Sequence, residues 1–196
     1  MNPTLLLFDL DGVLVDAADW HYEALNKALV ELGEEPISYE DHMENFNGLP
    51  TKKKLQKLGH KGKFAKEISK AKQSYTYEII KERCRPDADK VALLWELHKW
   101  YRVGVCTNAT RKSALMMLGL SGLLPYIHFV LSNEDIKKPK PHPEIYLKAM
   151  TMAGFVAEDT CIFEDSPVGL KAAKKSKARV AEVTFDSVTL ERLRIP

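Results

Sequence analysis

Leu5-Leu-Leu-Phe8-Asp9-Leu10-Asp11-Gly12-Val13-Leu14-Val15-Asp16 joins a run of four apolar residues to a polar tip with two carboxylates two positions apart. A continuous apolar run of this length, closed by a glycine, is the pattern of a strand covered on both faces. Four further runs follow it: Val103 to Cys106, Phe129 to Leu131, Cys161 to Phe163 and Val180 to Val183. Segments of helical period lie between them. Val91-Ala-Leu-Leu-Trp-Glu-Leu97 precedes the second run and Ser113-Ala-Leu-Met-Met-Leu118 follows it. Pro143-Glu-Ile-Tyr-Leu-Lys-Ala-Met150 follows the third run and Gly169-Leu-Lys-Ala-Ala-Lys174 the fourth. Strand and helix in alternation, joined by right-handed crossovers, predict an α/β fold built on a doubly wound parallel sheet.

The interval between the first two runs breaks this alternation. Asp16 to Pro86 contains no convincing strand but several amphipathic stretches, among them Trp20 to Leu29, Lys52 to Leu58 and Tyr75 to Ile80. A gap of about seventy residues far exceeds an ordinary connection. An all-helical cap inserted directly after the first polar tip is therefore expected, with the core at 1–15 and 87–196 and the cap at 16–86.

Composition sets the outer limits. The chain has 196 residues, 45% of them apolar, with 29 Lys and Arg against 27 Asp and Glu for a net charge of +2. That size allows one core with an appended piece, and folding needs no metal or disulfide. The near-zero net charge argues against an obligate polyanion binder. Cys84, Cys106 and Cys161 are far apart and form no C-x-x-C pair, so neither a disulfide framework nor a zinc site is expected, and a cytoplasmic setting fits. The start Met1-Asn-Pro-Thr4 lacks a basic leader, and Leu5 to Phe8 is too short for a membrane span, so no membrane partner is expected.

In open parallel sheets the ligand sits beyond the carboxyl ends of the strands. Here those ends carry Asp9, Asp11 and Gly12, then Thr107 and Asn108, then Ser132 and Asn133 with Lys140 shortly after, then Glu164 and Asp165. Clustered carboxylates repel and raise one another's pKa unless a cation shares the site. Oxygen donors of this kind suit a hard divalent ion, Mg2+ before others. A calcium loop does not fit: counted from Asp9, the glycine is fourth rather than sixth, and the twelfth residue is Trp20 rather than Glu.

Asp9 to Asp16 resembles the first motif of the haloacid dehalogenase superfamily, and Thr107 after its hydrophobic strand resembles the second. Lys140-Pro-His-Pro-Glu-Ile-Tyr146 is similar to the third and Phe163-Glu164-Asp165-Ser166-Pro-Val-Gly169 to the fourth. The four stand in the family's order and spacing over most of the chain. The resemblance implies a Rossmann-like core with a helical cap, and a Mg2+-dependent phosphatase that hydrolyses a small phosphorylated metabolite through an aspartyl-phosphate. Asp9 is then the nucleophile and Asp11 the general acid and base. Thr107, the Asn108 amide and Lys140 hold the phosphoryl oxygens. Asp165, the Asp9 carboxylate and the Asp11 carbonyl ligate the metal, with Glu164 in that shell or next to it. Asp11 also selects phosphoryl transfer, since the family's dehalogenases lack this second Asp. Lys137 and Lys138 are neighbouring rivals of Lys140, but the Lys-Pro-x-Pro register selects Lys140. Thr107 could also end its strand or cap the following helix.

The cap carries its own candidates. His21 resembles a histidine of members like beta-phosphoglucomutase that reaches toward the catalytic acid; its plainer reading is a partly exposed helix residue. Gly48-Leu-Pro-Thr51 resembles the loop that grips a second phosphate in mutases, which makes Gly48 and Lys52 candidate substrate contacts. Thr51 stands where that loop has an arginine, and Ala17 where the first motif is followed by a threonine. These departures favour hydrolysis over a phosphomutase, the nearest alternative. A nucleotide or nucleic-acid-end phosphatase is the further alternative, and a non-catalytic module is disfavoured by the intact carboxylates. The resemblance also implies a monomer.

Residues 16–45 contain nine acids and one base, and residues 46–72 nine lysines and one acid. One reading is an electropositive lip that attracts an anionic substrate. The other, favoured here, is a pair of opposing solvated faces that neutralise each other. Phe64 is the only aromatic ring between Lys52 and Lys72, so a nucleic-acid partner is not expected.

Overall fold

The structure, a computed structural model, describes residues 4–195. Its strands are β1 (Leu5–Phe8), β2 (Arg102–Cys106), β3 (Phe129–Leu131), β4 (Thr160–Glu164) and β5 (Arg179–Glu182), paired in parallel in the order β3-β2-β1-β4-β5. The five apolar runs are these five strands, displaced by one residue at most at either end. Every side chain of β1 is buried, as the unbroken apolar run requires of the central strand.

The helices are α1 (Ala18–Glu31), α2 (Tyr39–Asp41), α3 (Thr51–Lys57), α4 (Gly62–Arg83), α5 (Ala88–Leu97), α6 (Arg111–Leu120), α7 (Glu144–Ala153) and α8 (Pro167–Ser176). Alternation along β1 separates the core into two layers. Leu6 and Phe8 enter one apolar cluster with Leu93, Leu94 and Leu97 of α5 and Met117 and Leu118 of α6. Leu5 and Leu7 enter the other with Ile145 and Tyr146 of α7 and Ala172 and Ala173 of α8. Each such side chain contributes about 1.5–3 kcal/mol on burial. Phe8 and Phe163 stack across β1 and β4 with ring centroids 4.5 Å apart. The chain fills the β2–β3 side of the sheet first and then crosses β1 to form β4 and β5. The crevice at this reversal opens at the carboxyl ends of β1, β2 and β4.

Helices α1 to α4 form the inserted cap. Leu25, Ala28 and Leu29 of α1, with Ile37, Phe46, Leu55 and Ile68, make a separate apolar cluster. Ser38 caps α2 by accepting from the Asp41 amide at 3.1 Å, and α2 runs into a π-helical turn at His42–Phe46. The end of α4 is rooted in the core, where Ile80 and Cys84 join the cluster of β1. Among the hydrogen bonds that close the cap onto the core, Asn108 Nδ2 donates to the Gly48 carbonyl at 2.9 Å, and Gln73 Nε2 to Ser113 Oγ at 2.8 Å. All three cysteines are buried and free. Among the described residues no helix is long and apolar enough to cross a membrane.

The cap's charge segments do not pair as opposing faces. Glu23 pairs with Lys27 at 2.8 Å and with Arg83 at 2.6 Å, and Glu34 with His60 at 3.6 Å. Among the described residues no salt bridge joins an acid of 16–45 to a lysine of 46–72. Lys52, Lys53, Lys57, Lys61, Lys63, Lys66 and Lys70 are exposed, whereas Lys54 and Lys72 are buried. For those two the expectation of a solvated face is wrong. They lie on the helix sides that dock toward the core crevice.

Candidate active site

Asp9 extends the ladder of β1 by one residue, its amide donating to the Phe163 carbonyl at 3.0 Å. The chain then turns back on itself. The Leu14 and Val15 amides donate to the Leu10 carbonyl at 3.0 and 2.9 Å, and the Gly12 amide to the Val15 carbonyl at 2.8 Å. This loop places Asp9 and Asp11 together in the crevice. Gly12 has φ +85°, and a Cβ there would run into the Asp165 carboxylate. Gly12→Ala is therefore expected to cost about 2 kcal/mol or more, from left-handed strain and overpacking, and to depress turnover. Thermal unfolding and a phosphate-release assay on the same preparation check both effects.

Lys140 is 3% exposed and crosses beneath Asp9. Its Nζ donates to Asp9 Oδ1 at 2.8 Å, to the Cys106 carbonyl at 2.8 Å and to Glu164 Oε1. Lys137 and Lys138 are exposed, and their amides donate to the Glu144 carboxylate at 2.8 and 3.0 Å. Glu164 is fully buried; its Oε1 also accepts from the Tyr146 hydroxyl, and its Oε2 from Ser166 Oγ at 3.4 Å. Gly169 leaves the space that Glu164 occupies, since a Cβ there would overlap its carboxylate. Tyr146 lies inside the Lys140 motif, yet its role as a prop for Glu164 is not legible in the sequence.

Electrostatics at this cluster call for a cation. Burial and the neighbouring Glu164 push the Asp9 carboxyl well above its ordinary range. The same two causes push Asp165 up to about 6. Burial opposes the Lys140 charge, but Asp9 and Glu164 outweigh it and hold the ammonium above the usual lysine range. One oxygen each of Asp9, Glu164 and Asp165 lies within 4.8 Å of the others. Asp165 Oδ1 is buried without a hydrogen-bond partner. An orphaned carboxylate oxygen beside two more hard donors fits a divalent ion such as Mg2+. The Asp11 carboxylate is not in this cluster; it turns toward the cap.

There Asp11 Oδ1 accepts from His21 Nε2 at 3.1 Å, and His21 Nδ1 accepts from Lys72 Nζ at 3.2 Å. The ammonium donor at Nδ1 assigns the ring proton to Nε2. Burial and Lys72 lower the His21 pKa, so the ring is neutral. For Asp11 burial acts upward, but His21 and then Lys72 outweigh it and keep the carboxylate ionised. Thr107, fully buried at the end of β2, donates to Asp11 Oδ2 at 3.5 Å and accepts from the Ala109 amide at 2.9 Å. The cap of α6 is Thr110 instead, whose Oγ1 accepts from the Ser113 amide at 3.3 Å. Asn108 is a strut: its Oδ1 accepts from the Lys140 amide at 3.1 Å while its Nδ2 reaches the Gly48 carbonyl.

Asp9, Asp11, His21, Gly48, Thr107, Asn108, Lys140 and Asp165 thus line one chamber, with about 70 Å3 of free space, room for a few waters. Glu164 lies under its floor. Lys52 does not reach it: it is exposed on α3, whereas Lys54 and Leu55 face inward. At about 100° per residue, a two-residue offset turns a side chain to the opposite face. Lys54 and Lys72, 4% and 5% exposed, are the charged lining residues that sequence reasoning missed. Lys72 leaves a trace, since it stands on the inward stripe Ile68, Lys72, Thr76 and Ile79 of α4. A lysine at the spacing of core residues is the signal.

The chain resembles known proteins over nearly its whole length. A phosphorylated carbohydrates phosphatase of Thermotoga maritima is 28% identical over 178 residues, 87% of this chain and 80% of the relative. A phosphoglycolate phosphatase of Aquifex aeolicus is 27% identical over 187 residues, 95% of this chain and 87% of the relative. The crystal structure of beta-phosphoglucomutase from Clostridium difficile superposes with a TM-score of 0.82 at 21% identity, covering 96% of this chain and 94% of that one. The family model of the haloacid dehalogenase-like hydrolases matches residues 6–183. That span takes in the five strands apart from Leu5, the cap and every residue of the chamber, and the chain accordingly belongs to the haloacid dehalogenase-like hydrolases.

Proposed function

We propose that this hydrolase is a Mg2+-dependent phosphatase that releases phosphate from a small phosphorylated metabolite through an aspartyl-phosphate on Asp9. The observation that carries the reading is the division of labour between two carboxylates. Asp9 stands among hard oxygen donors and is oriented by Lys140, whereas Asp11 is held apart by His21.

In this reading a proton taken up from solvent joins Asp11 as the anionic substrate settles beside it, the Asp9 carboxylate, anchored through Oδ1, attacks phosphorus in line, and Asp11 passes that proton to the departing alkoxide. Water then attacks the phosphoryl group of the aspartyl-phosphate while Asp11 takes its proton, which regenerates Asp9. Thr107 and the Asn108 amide donate to the phosphoryl oxygens, and Lys140 reaches them by giving up one of its three present contacts. Asp9, Asp165 and the Asp11 carbonyl, with Glu164 at the edge of the set, would hold the metal, whose positive charge would offset that of the phosphoryl group. We take residues 16–86 as a lid on a core of 1–15 and 87–196. Opening it breaks the Asn108–Gly48 and Gln73–Ser113 contacts and admits substrate, and closing it excludes bulk water. The names of the two sequence relatives support a small phosphorylated organic compound as substrate.

The test is phosphate release over a panel of sugar phosphates, nucleotides and short organic phosphates, with isomerisation of glucose 1-phosphate followed in parallel. Release without isomerisation is expected, abolished by a chelator and restored by Mg2+. Mg2+ is also expected to raise the Tm, since it binds the folded carboxylate cluster and not the unfolded chain. Chelator-insensitive activity, or no release from any compound, overturns the reading.

A further inference from the structure

One charge in the chamber has no place in this chemistry. Lys54, on α3, is 4% exposed and lines the chamber. It has neither a hydrogen bond nor an ion pair among the described residues, and no hydrogen bond contributes to its titration. A buried ammonium ion without a partner is among the least favourable arrangements a side chain can take. Burial, and after it Lys72, lowers its pKa to about 7, so near neutrality the unpartnered group holds its charge only in part, and an anion placed beside it would restore the rest. The position is nevertheless firmly built. Leu55 beside it is packed into the cap's apolar cluster, and Lys57 Nζ donates to the Asn45 carbonyl at 2.8 Å, fastening α3 to the π-helical turn.

None of its neighbours neutralises it. Lys72 approaches from α4 as a second cation, and its own contact is with His21. His42, from the π-helical turn, is fully buried with both ring nitrogens unpartnered, and burial and then Lys54 hold its pKa near 3, so it stays neutral. Asp11 is the one carboxylate among the described residues that acts on Lys54, and it is already engaged by His21. The cap end of the chamber thus presents two ammonium groups against a single carboxylate, while the phosphoryl donors Thr107 and Lys140 stand at the core end. A substrate spanning the two ends would place its leaving group toward α3.

We propose that Lys54 is a specificity residue that receives a second anionic group, carboxylate or phosphate, on the leaving-group side of a short phosphomonoester. This rests on the phosphatase reading above and narrows it to substrates that are anionic at both ends. The unpaired ammonium is the positive half of an ion pair that the substrate completes, and a tail ending in a hydroxyl would leave it buried and unmatched.

The experiment compares two compounds that differ only at the tail, 3-phosphoglycerate and glycerol 3-phosphate, with propane-1,3-diol bisphosphate as the double-phosphate counterpart. The wild type is expected to favour 3-phosphoglycerate or the bisphosphate over glycerol 3-phosphate by about ten- to hundredfold in kcat/KM, as one charge-assisted contact gives. Lys54→Met is expected to collapse that ratio toward one, and Lys54→Arg to keep most of it. Titration of 3-phosphoglycerate into the Asp9→Asn protein, with and without Lys54→Met, reads binding apart from turnover and should show about a tenfold or greater loss of affinity. Folding does not confound the result, since removing an unpaired buried charge is expected to raise the Tm. Equal use of the three compounds by the wild type, or an equal loss on all of them in Lys54→Met, overturns the subsite and leaves the phosphatase reading standing. Failure of the wild type to release phosphate from these and from an aryl phosphate overturns both.

Discussion

Asp9→Asn is expected to lower kcat for phosphate release by about 1,000-fold or more, because the amide cannot form the phosphoryl-enzyme. The fold should survive. The asparagine carbonyl still accepts from Lys140, and the substitution removes a charge that the site disfavours when no metal is bound. The pKa of Asp9 is raised by burial and by Glu164. A folded-state value above the unfolded one means that ionising Asp9 costs stability, and the cost grows as pH rises above about 4. In chelator at neutral pH the variant should therefore melt at or above the wild-type Tm. In Mg2+ the ranking should reverse, since only the wild type offers the full carboxylate set. Activity near wild type would refute the nucleophile, and a wild-type Tm well above that of the variant in chelator would refute the electrostatic account of Asp9.

Lys140→Met is the substitution with the largest expected effect on stability. It removes the one cation between Asp9 and Glu164 and a donor to the Cys106 carbonyl. Breaking a buried pair from one side typically costs about 3–5 kcal/mol, because the partner charge stays behind. For a chain of this size the Tm should fall by about 10 °C. The pH dependence has a definite sign. Without the lysine Asp9 loses the cation that favours its charge and titrates higher still in the folded state, so the deficit against wild type grows as pH rises from about 4 toward neutrality. It shrinks under acid conditions, where Asp9 is protonated. Adding Glu164→Gln to the variant should recover part of the loss, since the amide oxygen still accepts from Tyr146 and no longer carries charge. A Tm within two or three degrees of wild type at neutral pH would show that Lys140 is not the counter-ion of this pair. Turnover should fall as well, since Lys140 orients Asp9.

The strands and the core helices are legible in the chain because their signals are local. A run such as Leu5 to Phe8 can be buried on both sides only at the centre of a covered sheet, and β1 occupies that place. The polar residues after each run converge because parallel strands end on the same edge. Asp9, Asp11, Thr107, Asn108, Lys140 and Asp165 therefore line the chamber together although they are spread from position 9 to 165. Lys140 is separable from Lys137 and Lys138 by its proline register, and the structure buries it alone of the three.

The cap reads less well. Its helices are evident, but the nine lysines of 46–72 look alike, and the favoured reading of neutralising faces treats them as equivalent. Lys52 is a plausible contact by its closeness to Gly48 in the chain, yet α3 turns it outward and Lys54 inward. Glu164 is an acid beside Asp165 by sequence; Lys140 and Tyr146, which hold it, come from other elements.

By itself, then, the amino-acid sequence determined the doubly wound core, the inserted helical cap and the placing of Asp9, Asp11, Glu164 and Asp165 at the strand ends, because apolar period and strand-tip position are properties of contiguous residues. Only the tertiary structure decided which cap lysines enter the chamber, that His21 bridges Lys72 to Asp11, and that Asn108 ties the cap loop to the Lys140 segment. Those contacts join residues 51, 10, 60 and 32 positions apart. Their geometry is set by how the cap docks on the core, and local period and propensity carry no information about that docking.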